Sequence, residues 1–231
     1  MMGNRSKQKD SISVEQVFDV SAKRYDSWYD EPFGKSAFVL EKACIESLCK
    51  NLKAPFLEVG VGTGRFARAL KIEYGTDVSI EMLKYAKQRV IAVTRGEGER
   101  LPFVDSFIGA VFIIVTLCFV DDPMKVLKEA SRVLNEDGAI ILGLILKESP
   151  WADFYREKGE AGNIFYKIAT FYSFEELKSM VEKAGLKIVK MSSTMFQAPT
   201  EIQLRFKSPK SGYYEEAGFV ALKIQKANPE G

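Results

Sequence analysis

Between Phe56 and Leu146 the chain alternates short Val/Ile-rich runs with stretches of helical spacing, and no other feature constrains its fold as much. Neighbouring parallel strands need a long crossover, usually a helix, so this alternation predicts βαβ units around a mostly parallel sheet covered on both faces. The expected class is α/β, a three-layer sandwich. The expected strands are Phe56–Val59, Lys71–Asp77, Val90–Thr94, Gly109–Val115 and Ala139–Leu146. Helices are expected over Arg65–Leu70, from about Ser79 to Arg89, and from Asp122 to about Leu134. Ser79 is a suitable N-cap, and Asp122 followed by Pro123 pairs a cap with proline at the first helical position. Asn135–Gly138 reads as the turn before the fifth strand.

The flanks read differently. Ser13 with Gln16 makes a capping-box pattern, and Phe38, Leu40, Ala43, Cys44 and Leu48 recur at roughly helical spacing, with a break at Pro32 and Gly34. After Pro150 the residues Trp151, Phe154, Tyr155, Phe165, Tyr166, Phe171 and Tyr172 crowd together as an insertion. Ser173 with Glu176 opens a further helix that should end at Gly185. Leu186–Met191 and Gly218–Ile224 read as the last two strands, joined by a polar loop containing Pro209 and Gly212. Residues 1–12 are expected to be a flexible tail. Residues 13–231 are expected to form one domain, with a helical cap over 13–51 and the aromatic insertion over 150–172.

Composition excludes several kinds of chemistry. A chain of 231 residues, 46% hydrophobic, buries enough surface to hold a core without covalent staples. Lys plus Arg number 33 and Asp plus Glu 31, a formal +2, so no global field draws the chain onto nucleic acid or anionic lipid. There is no histidine, which removes every imidazole-based nucleophilic mechanism and histidine metal site. Cys44, Cys49 and Cys118 stand at no metal-ligand spacing, pointing to a reducing, cytoplasmic setting and no bound metal. The longest apolar stretches, Ile108–Val120 and Ala139–Leu146, are too short for a membrane span of ~20 residues. Met1–Asp10 has no apolar run like a secretory signal. A soluble protein is expected, with neither membrane nor nucleic acid as partner.

The strongest local motif is Phe56-Leu57-Glu58-Val59-Gly60-Val61-Gly62-Thr63-Gly64, a strand that empties into closely spaced glycines. Such a bend lets the backbone approach a ligand, and the following helix aims its N-terminal amides at the same place. A nucleotide or nucleoside fits there. The pyrophosphate of a dinucleotide fits less well, because that fingerprint needs glycine where Arg65 stands. Asp77, 19 residues after Glu58, falls at the end of the second strand, where a carboxylate can accept both hydroxyls of a ribose. Gly96-Glu97-Gly98-Glu99 after the third strand could meet an adenine through a carboxylate and a backbone amide. Taken singly, each feature also has an ordinary reading: a packing turn, a helix-flanking aspartate, solvated turn charges.

In this order the three places resemble the class I, Rossmann-like S-adenosylmethionine-dependent methyltransferases, over about Val14 to Ile224. The resemblance is nearest to the small-molecule group that includes the ubiquinone and menaquinone biosynthetic enzymes. Leu57–Phe66 is similar to the group's acidic-x-Gly-x-Gly-x-Gly motif, and Gly75-Thr76-Asp77-Val78-Ser79 with Met82-Leu83 to its second-strand motif. Gly96–Phe103 resembles its Gly-Asp-Ala-Glu-x-Leu-Pro-Phe stretch, and Arg132–Gly138 its Arg-Val-Leu-Lys-Pro-Gly-Gly turn. The resemblance implies S-adenosylmethionine as cofactor and a seven-stranded sheet in the order 3-2-1-4-5-7-6, last strand antiparallel. It also implies that Glu58, Gly60, Gly62 and Gly64 line the methionine and ribose part and that Asp77 binds the ribose hydroxyls. Met82 would lie near adenine, Glu97 and the Gly98 amide would read its edge, and Thr116 and Leu117 would border the sulfonium.

The chain departs from the group at three places. Phe107-Ile108 stands where Phe-Asp usually opens the fourth strand, and Cys118-Phe119 where paired histidines are common, so the group's candidate base is missing. Asp137 replaces the first glycine of the Gly-Gly turn, which should survive because aspartate tolerates left-handed backbone. Any base for the acceptor's proton must come from carboxylates and tyrosines near the mouth: Tyr25, Tyr29, Glu31, Asp121, Asp122, Asp153, Tyr155 and Tyr166, with Tyr29, Asp121 and Tyr155 as the catalytic candidates.

Tyr25–Tyr29 and the insertion Trp151–Tyr172 read as a two-part lid suited to a small organic methyl acceptor, or as a minor core that seals the N-terminal helix onto the domain. Thr116-Leu117-Cys118-Phe119 lacks the Asn/Asp-Pro-Pro-aromatic run of adenine and glutamine amino-group methyltransferases, and no Pro-Cys pair marks Cys118 as a nucleophile. The expected function is methyl transfer by in-line displacement to an oxygen or nitrogen of a small molecule. A nicotinamide-dependent oxidoreductase and a noncatalytic S-adenosylmethionine-binding regulator are the alternatives.

Overall fold

The computed structural model describes residues 13–89, 92–200 and 202–227. Two helices, α1 (Val14–Trp28) and α2 (Pro32–Glu46), precede the alternating region. Ser13 and Gln16 make the expected capping box at the start of α1, and Pro32 opens α2 where no amide is needed. There follow β1 (Phe56–Val59), α3 (Arg65–Leu70), β2 (Tyr74–Asp77), α4 (Ile80–Gln88), β3 (Ala92–Arg95) and β4 (Ile108–Ile114). A 3-10 turn at Leu117–Phe119 leads to α5 (Pro123–Val133) and β5 (Leu134–Leu144). The remainder is α6 (Pro150–Glu160), α7 (Ile164–Ile168), α8 (Phe174–Lys183), β6 (Leu186–Thr194), β7 (Lys210–Ser211) and β8 (Phe219–Lys226). No helix among the described residues is long and apolar enough to cross a membrane.

Among the described residues all the strands belong to one sheet, ordered β3-β2-β1-β4-β5-β8-β6-β7. The neighbours from β3 to β5 pair in parallel, and β8 runs antiparallel between β5 and β6. The expected class, strand order and reversed last strand are therefore present, with one correction to the count. The sheet has eight strands and not seven, because Lys210–Ser211 in the polar loop pairs with Ser192 and Ser193 at the edge. Two residues are too few to leave an alternating pattern in the sequence.

Three boundaries also move. The second strand begins at Tyr74 and not Lys71, because Lys71 takes left-handed backbone (φ 58°) to close α3. Asn135–Gly138 is not a separate turn. Leu134 pairs with Ile108, Ala139 with Ala110, and the intervening residues bulge between these two pairings. The sixth strand extends to Thr194 alongside Phe219. The expected tail at 1–12, and Val90 and Ile91 of the third strand, lie outside the described residues.

β4 is buried along its whole length, as a central parallel strand should be. Its side chains alternate between two cores: Val111 and Ile113 join Val126, Leu127, Leu177 and Val181 of α5 and α8 on one face. Phe112 and Ile114 join Leu40 and Ile45 of α2 and Trp151 of α6 on the other. Trp151 is the anchor of the aromatic insertion. Fully buried, it donates from Nε1 to the Gln197 carbonyl at 3.0 Å and lies against Gly218, where a Cβ would come within 2.6 Å of its ring. Truncating such a residue costs about 3–5 kcal/mol.

Candidate active site

A cleft of about 640 Å³ opens over the carboxyl ends of β1, β2 and β4, where α/β sheets bind ligands. Its wall includes Gly60, Gly62, Asp77, Met82, Glu97, Gly98, Thr116 and Asp121 from the sequence-predicted set. The bend after β1 is held from below by two amides, Gly60 and Val61, both donating to the Thr76 carbonyl at 2.8 and 2.9 Å. Gly60 has φ +69°, and a Cβ there would stand 2.2 Å from Thr116 Cγ2, so both its conformation and its neighbour demand glycine. That contact sets the end of β4 directly against the bend.

Asp77 closes the other side. Its Oδ2 accepts the Gly62 amide at 2.8 Å and its Oδ1 the Ser79 amide at 2.9 Å, which fixes the carboxylate plane between glycine loop and α4. Burial pushes its pKa above the usual carboxylate value, while these amides oppose the shift. Glu58 is 2% exposed, on the face of β1 opposite Leu57 and Val59. Its Oε2 has no hydrogen-bond partner among the described residues, and burial holds its pKa well above the usual carboxylate range.

Three further loops complete the wall. Glu97 is exposed and Gly98 buried, the latter against Val59 and Val126. Glu99 accepts the amides of Asp121 and Asp122 at 3.1 and 3.2 Å, tying the loop after β3 to the loop before α5. Val115, the residue after β4, has φ +49°, a rare conformation for a β-branched side chain, and it lines the cleft beside Thr116. Leu117 does not reach the cleft; it is buried in the core under the 3-10 turn. Gly64 stands back from the wall as the left-handed N-cap of α3.

α1 lies across the cleft. Ser13, Val14, Glu15, Phe18 and Tyr25 line it. Phe18 and Tyr25, seven residues apart on one helix face, pack with Phe165 of α7 at centroid distances of 5.4 and 5.8 Å, and Phe18 meets Phe119 at 5.1 Å. Tyr25 and Phe165 thus bring the segments Tyr25–Tyr29 and Trp151–Tyr172 into contact, an arrangement that a lid and a sealing minor core share. Tyr29 and Tyr155 are buried away from the cleft wall. Burial raises both phenols well above their usual pKa. Asp121 sits exposed at the mouth. The Cys118 thiol is pushed up to about 12 by burial, which keeps it un-ionised.

Two features escape sequence reasoning. Arg65, chosen above only as a missing glycine, holds α1 onto the glycine loop through Asp26 and Asp30. Glu41 is a carboxylate on the buried face of α2, between Leu40 and Cys44. The signal for Glu41 was a charged residue inside an apolar helical stripe; the contact of Arg65 left no local signal.

The family model described as a methyltransferase domain matches residues 57–142, the segment from β1 to β5. The uncharacterized protein MJ1123 of Methanocaldococcus jannaschii is 39% identical over 211 residues, covering 91% of this chain and 98% of that one. The uncharacterized protein Rv2003c of Mycobacterium tuberculosis is 36% identical over 201 residues, 87% of this chain and 70% of that one. Among solved structures, a Thermotoga maritima S-adenosylmethionine-dependent methyltransferase described as a possible histamine N-methyltransferase is similar at 34% identity and a TM-score of 0.83. The match covers 92% of this chain and 99% of that one. With the sheet order, the glycine bend and these relatives together, the chain belongs to the class I S-adenosylmethionine-dependent methyltransferases, enzymes whose cofactor is S-adenosylmethionine.

Proposed function

We propose that the protein methylates an oxygen or nitrogen atom of a small organic acceptor, with its cofactor seated in the cleft over β1, β2 and β4. When bound, S-adenosylmethionine supplies a methyl group on a sulfonium, open to in-line displacement. The observation that carries the reading is the convergence on one cleft of a side-chain-free bend and a carboxylate anchored through both oxygens.

The residues suit the group. Asp77 keeps free lone pairs after accepting two amides, so it can take the ribose hydroxyls. The orphaned Oε2 of Glu58 needs a donor, which the methionine amino end provides. Gly60 and Gly62 leave room for the backbone to approach, Met82 offers an apolar face to adenine, and Glu97 with the Gly98 amide offers an acceptor and a donor to its edge. Thr116, pressed against Gly60, borders the sulfonium side. Gly64 and Leu117 act by shaping the bend and the 3-10 turn.

On the acceptor side, Phe18, Tyr25, Phe119 and Phe165 exclude water and hold a small apolar or cationic molecule by ring contact. The Thermotoga maritima relative, a possible histamine N-methyltransferase, favours nitrogen over oxygen. The test is a panel of small amines, phenols and carboxylates incubated with S-adenosylmethionine, reading S-adenosylhomocysteine formed. Turnover is expected with at least one class. Tight cofactor binding with no turnover across the panel would overturn the reading in favour of a noncatalytic binding protein.

A further inference from the structure

α1 roofs the cleft, and its two ends are fastened to the body by contacts of opposite character. At the C-terminal end Asp26 takes hydrogen bonds from Arg65 and Arg89, and all three side chains are less than one-fifth exposed. Midway, Asp19 Oδ1 accepts the Ser79 hydroxyl at 2.6 Å and the Glu81 amide at 3.2 Å. At the N-terminal end the fastening is a bridge from Arg95 Nη2 to Glu15 Oε1 at 2.6 Å, with side chains 53% and 39% exposed. Breaking a buried charge pair strands a charge away from water, whereas an exposed pair returns both charges to water at little cost. The helix therefore has a firm end and a weak one.

The weak end lies over the adenine end of the proposed cofactor seat. Arg95 closes β3, and its Nε also donates to the Val78 carbonyl at 3.1 Å, so one guanidinium spans from the loop after β2 to α1. Outside this bridge is a groove of about 320 Å³, lined by Arg95 and Arg100 together with Glu15, Val78, Gly96 and Glu97. Those last four also line the cleft, so groove and cleft share a wall along the bridge. Two other contacts close the cleft, and both are made by rings. Phe18 meets Phe119 at 5.1 Å, and Tyr25 covers the glycine bend, 3.8 Å from where a Gly62 Cβ would stand. Of the three closures, the Glu15–Arg95 bridge is the ionic one, and salt screens it.

We propose that the Glu15–Arg95 ion pair is a latch: its opening frees the N-terminal half of α1, joins groove to cleft, and lets S-adenosylmethionine enter and S-adenosylhomocysteine leave past the adenine end. Asp26 is the hinge side and stays closed. The inference rests on the cofactor seat proposed above and not on the identity of the methyl acceptor. A latch sets how often the cleft opens, which scales entry and exit alike and leaves affinity where it was. A direct contact to the bound ligand acts differently, because it slows exit alone.

The test is surface plasmon resonance of S-adenosylhomocysteine over the tethered full chain, reading association and dissociation rate constants. The Arg95 side chain lies on the groove and not on the cleft wall. Arg95→Gln should raise both constants by about threefold, the size of one exposed ion pair, with their ratio unchanged. Raising NaCl from about 20 to about 500 mM should accelerate the unaltered protein in the same way and the variant far less. Adding Glu15→Gln to Arg95→Gln should change nothing further. Asp30→Asn, which removes an exposed partner of Arg65 beyond the fixed end of α1, should leave both constants unmoved. Dissociation that quickens while association does not, or equal acceleration by Asp30→Asn, would overturn the latch. Rates unmoved by Arg95→Gln would overturn it too and leave the cofactor seat standing. Failure of the unaltered protein to bind S-adenosylhomocysteine would remove seat and latch together.

Discussion

Arg65 grips Asp26 through two parallel hydrogen bonds, Nε to Oδ1 and Nη2 to Oδ2, each 3.0 Å. Bidentate pairing of this kind fixes orientation as well as distance. Arg89 adds a bond from Nη2 to Asp26 Oδ2 at 2.8 Å and another from Nη1 to the Thr63 carbonyl at 2.7 Å. One carboxylate on α1 thereby joins the start of α3, the end of α4 and the glycine loop itself.

Asp26→Asn should cost about 3 kcal/mol, because it leaves two partly buried guanidinium groups without their shared anion. Burial works against the Asp26 charge, yet hydrogen bonds from Arg65, Thr63 and Arg89 bring its pKa down to about 2. A depressed carboxylate stabilises the fold above its unfolded value and loses that contribution as pH falls through the folded one. Urea unfolding should therefore show a gap between the two proteins at neutral pH that narrows from about pH 4 toward pH 2. A gap that holds constant down to acid would count against this account.

Gly60→Ala should weaken S-adenosylhomocysteine binding at least tenfold. The alanine must adopt φ +69°, at about 1–2 kcal/mol, and its methyl would stand 2.2 Å from Thr116 Cγ2 on the cleft wall. Gly162→Ala is the control. It has φ +101° but nothing within 4 Å of the added Cβ, so it bears backbone strain alone and should lower the melting temperature with cofactor affinity unchanged. Equal loss of affinity in both variants would show that general strain, not the Gly60–Thr116 contact, governs binding.

The parts of this architecture that rest on local chemistry were legible before any coordinates. Ser79 caps α4 by accepting the Met82 amide, Asp122 caps α5, and the glycines after β1 bend as their spacing requires. What could not be read was decided at long range. Asp26 and Arg65 are 39 residues apart, and nothing near either announces the other. Asn135–Gly138 has turn composition, yet the neighbouring β4 extends the ladder to Leu134 and turns the segment into a bulge. Leu117 follows the strand end as expected of a cleft residue, but the 3-10 turn rotates it into the core while Thr116 stays on the wall.

Asp77→Asn should loosen the same cleft without unfolding the chain. The substitution replaces one accepting oxygen with an amide that faces a backbone N–H, either of Gly62 or of Ser79. Leaving that donor unmatched costs about 1–3 kcal/mol. Adenosine should bind the unaltered protein more tightly than 2′,3′-dideoxyadenosine, and the difference should vanish in the variant. If the two ligands bind the unaltered protein alike, Asp77 does not hold ribose.

Glu41 should make the fold weaker as pH rises. Its ordinary value of 4.5 rises to about 8 by burial, so between these limits the folded chain keeps a proton that the unfolded chain has released. Stability then declines with increasing pH, at up to about 1.4 kcal/mol per unit. Glu58 and Asp77 are shifted in the same direction, so the unaltered protein shows their slopes as well. Glu41→Gln is neutral at every pH and keeps the side chain's shape, which removes one slope and leaves the other two. Urea unfolding near pH 5 and near pH 8 should find the variant closely matched to the unaltered protein at the lower pH and clearly more stable at the higher. Curves that run parallel across the interval would mean that Glu41 ionises as freely in the fold as in the open chain, and that its burial is relieved by water.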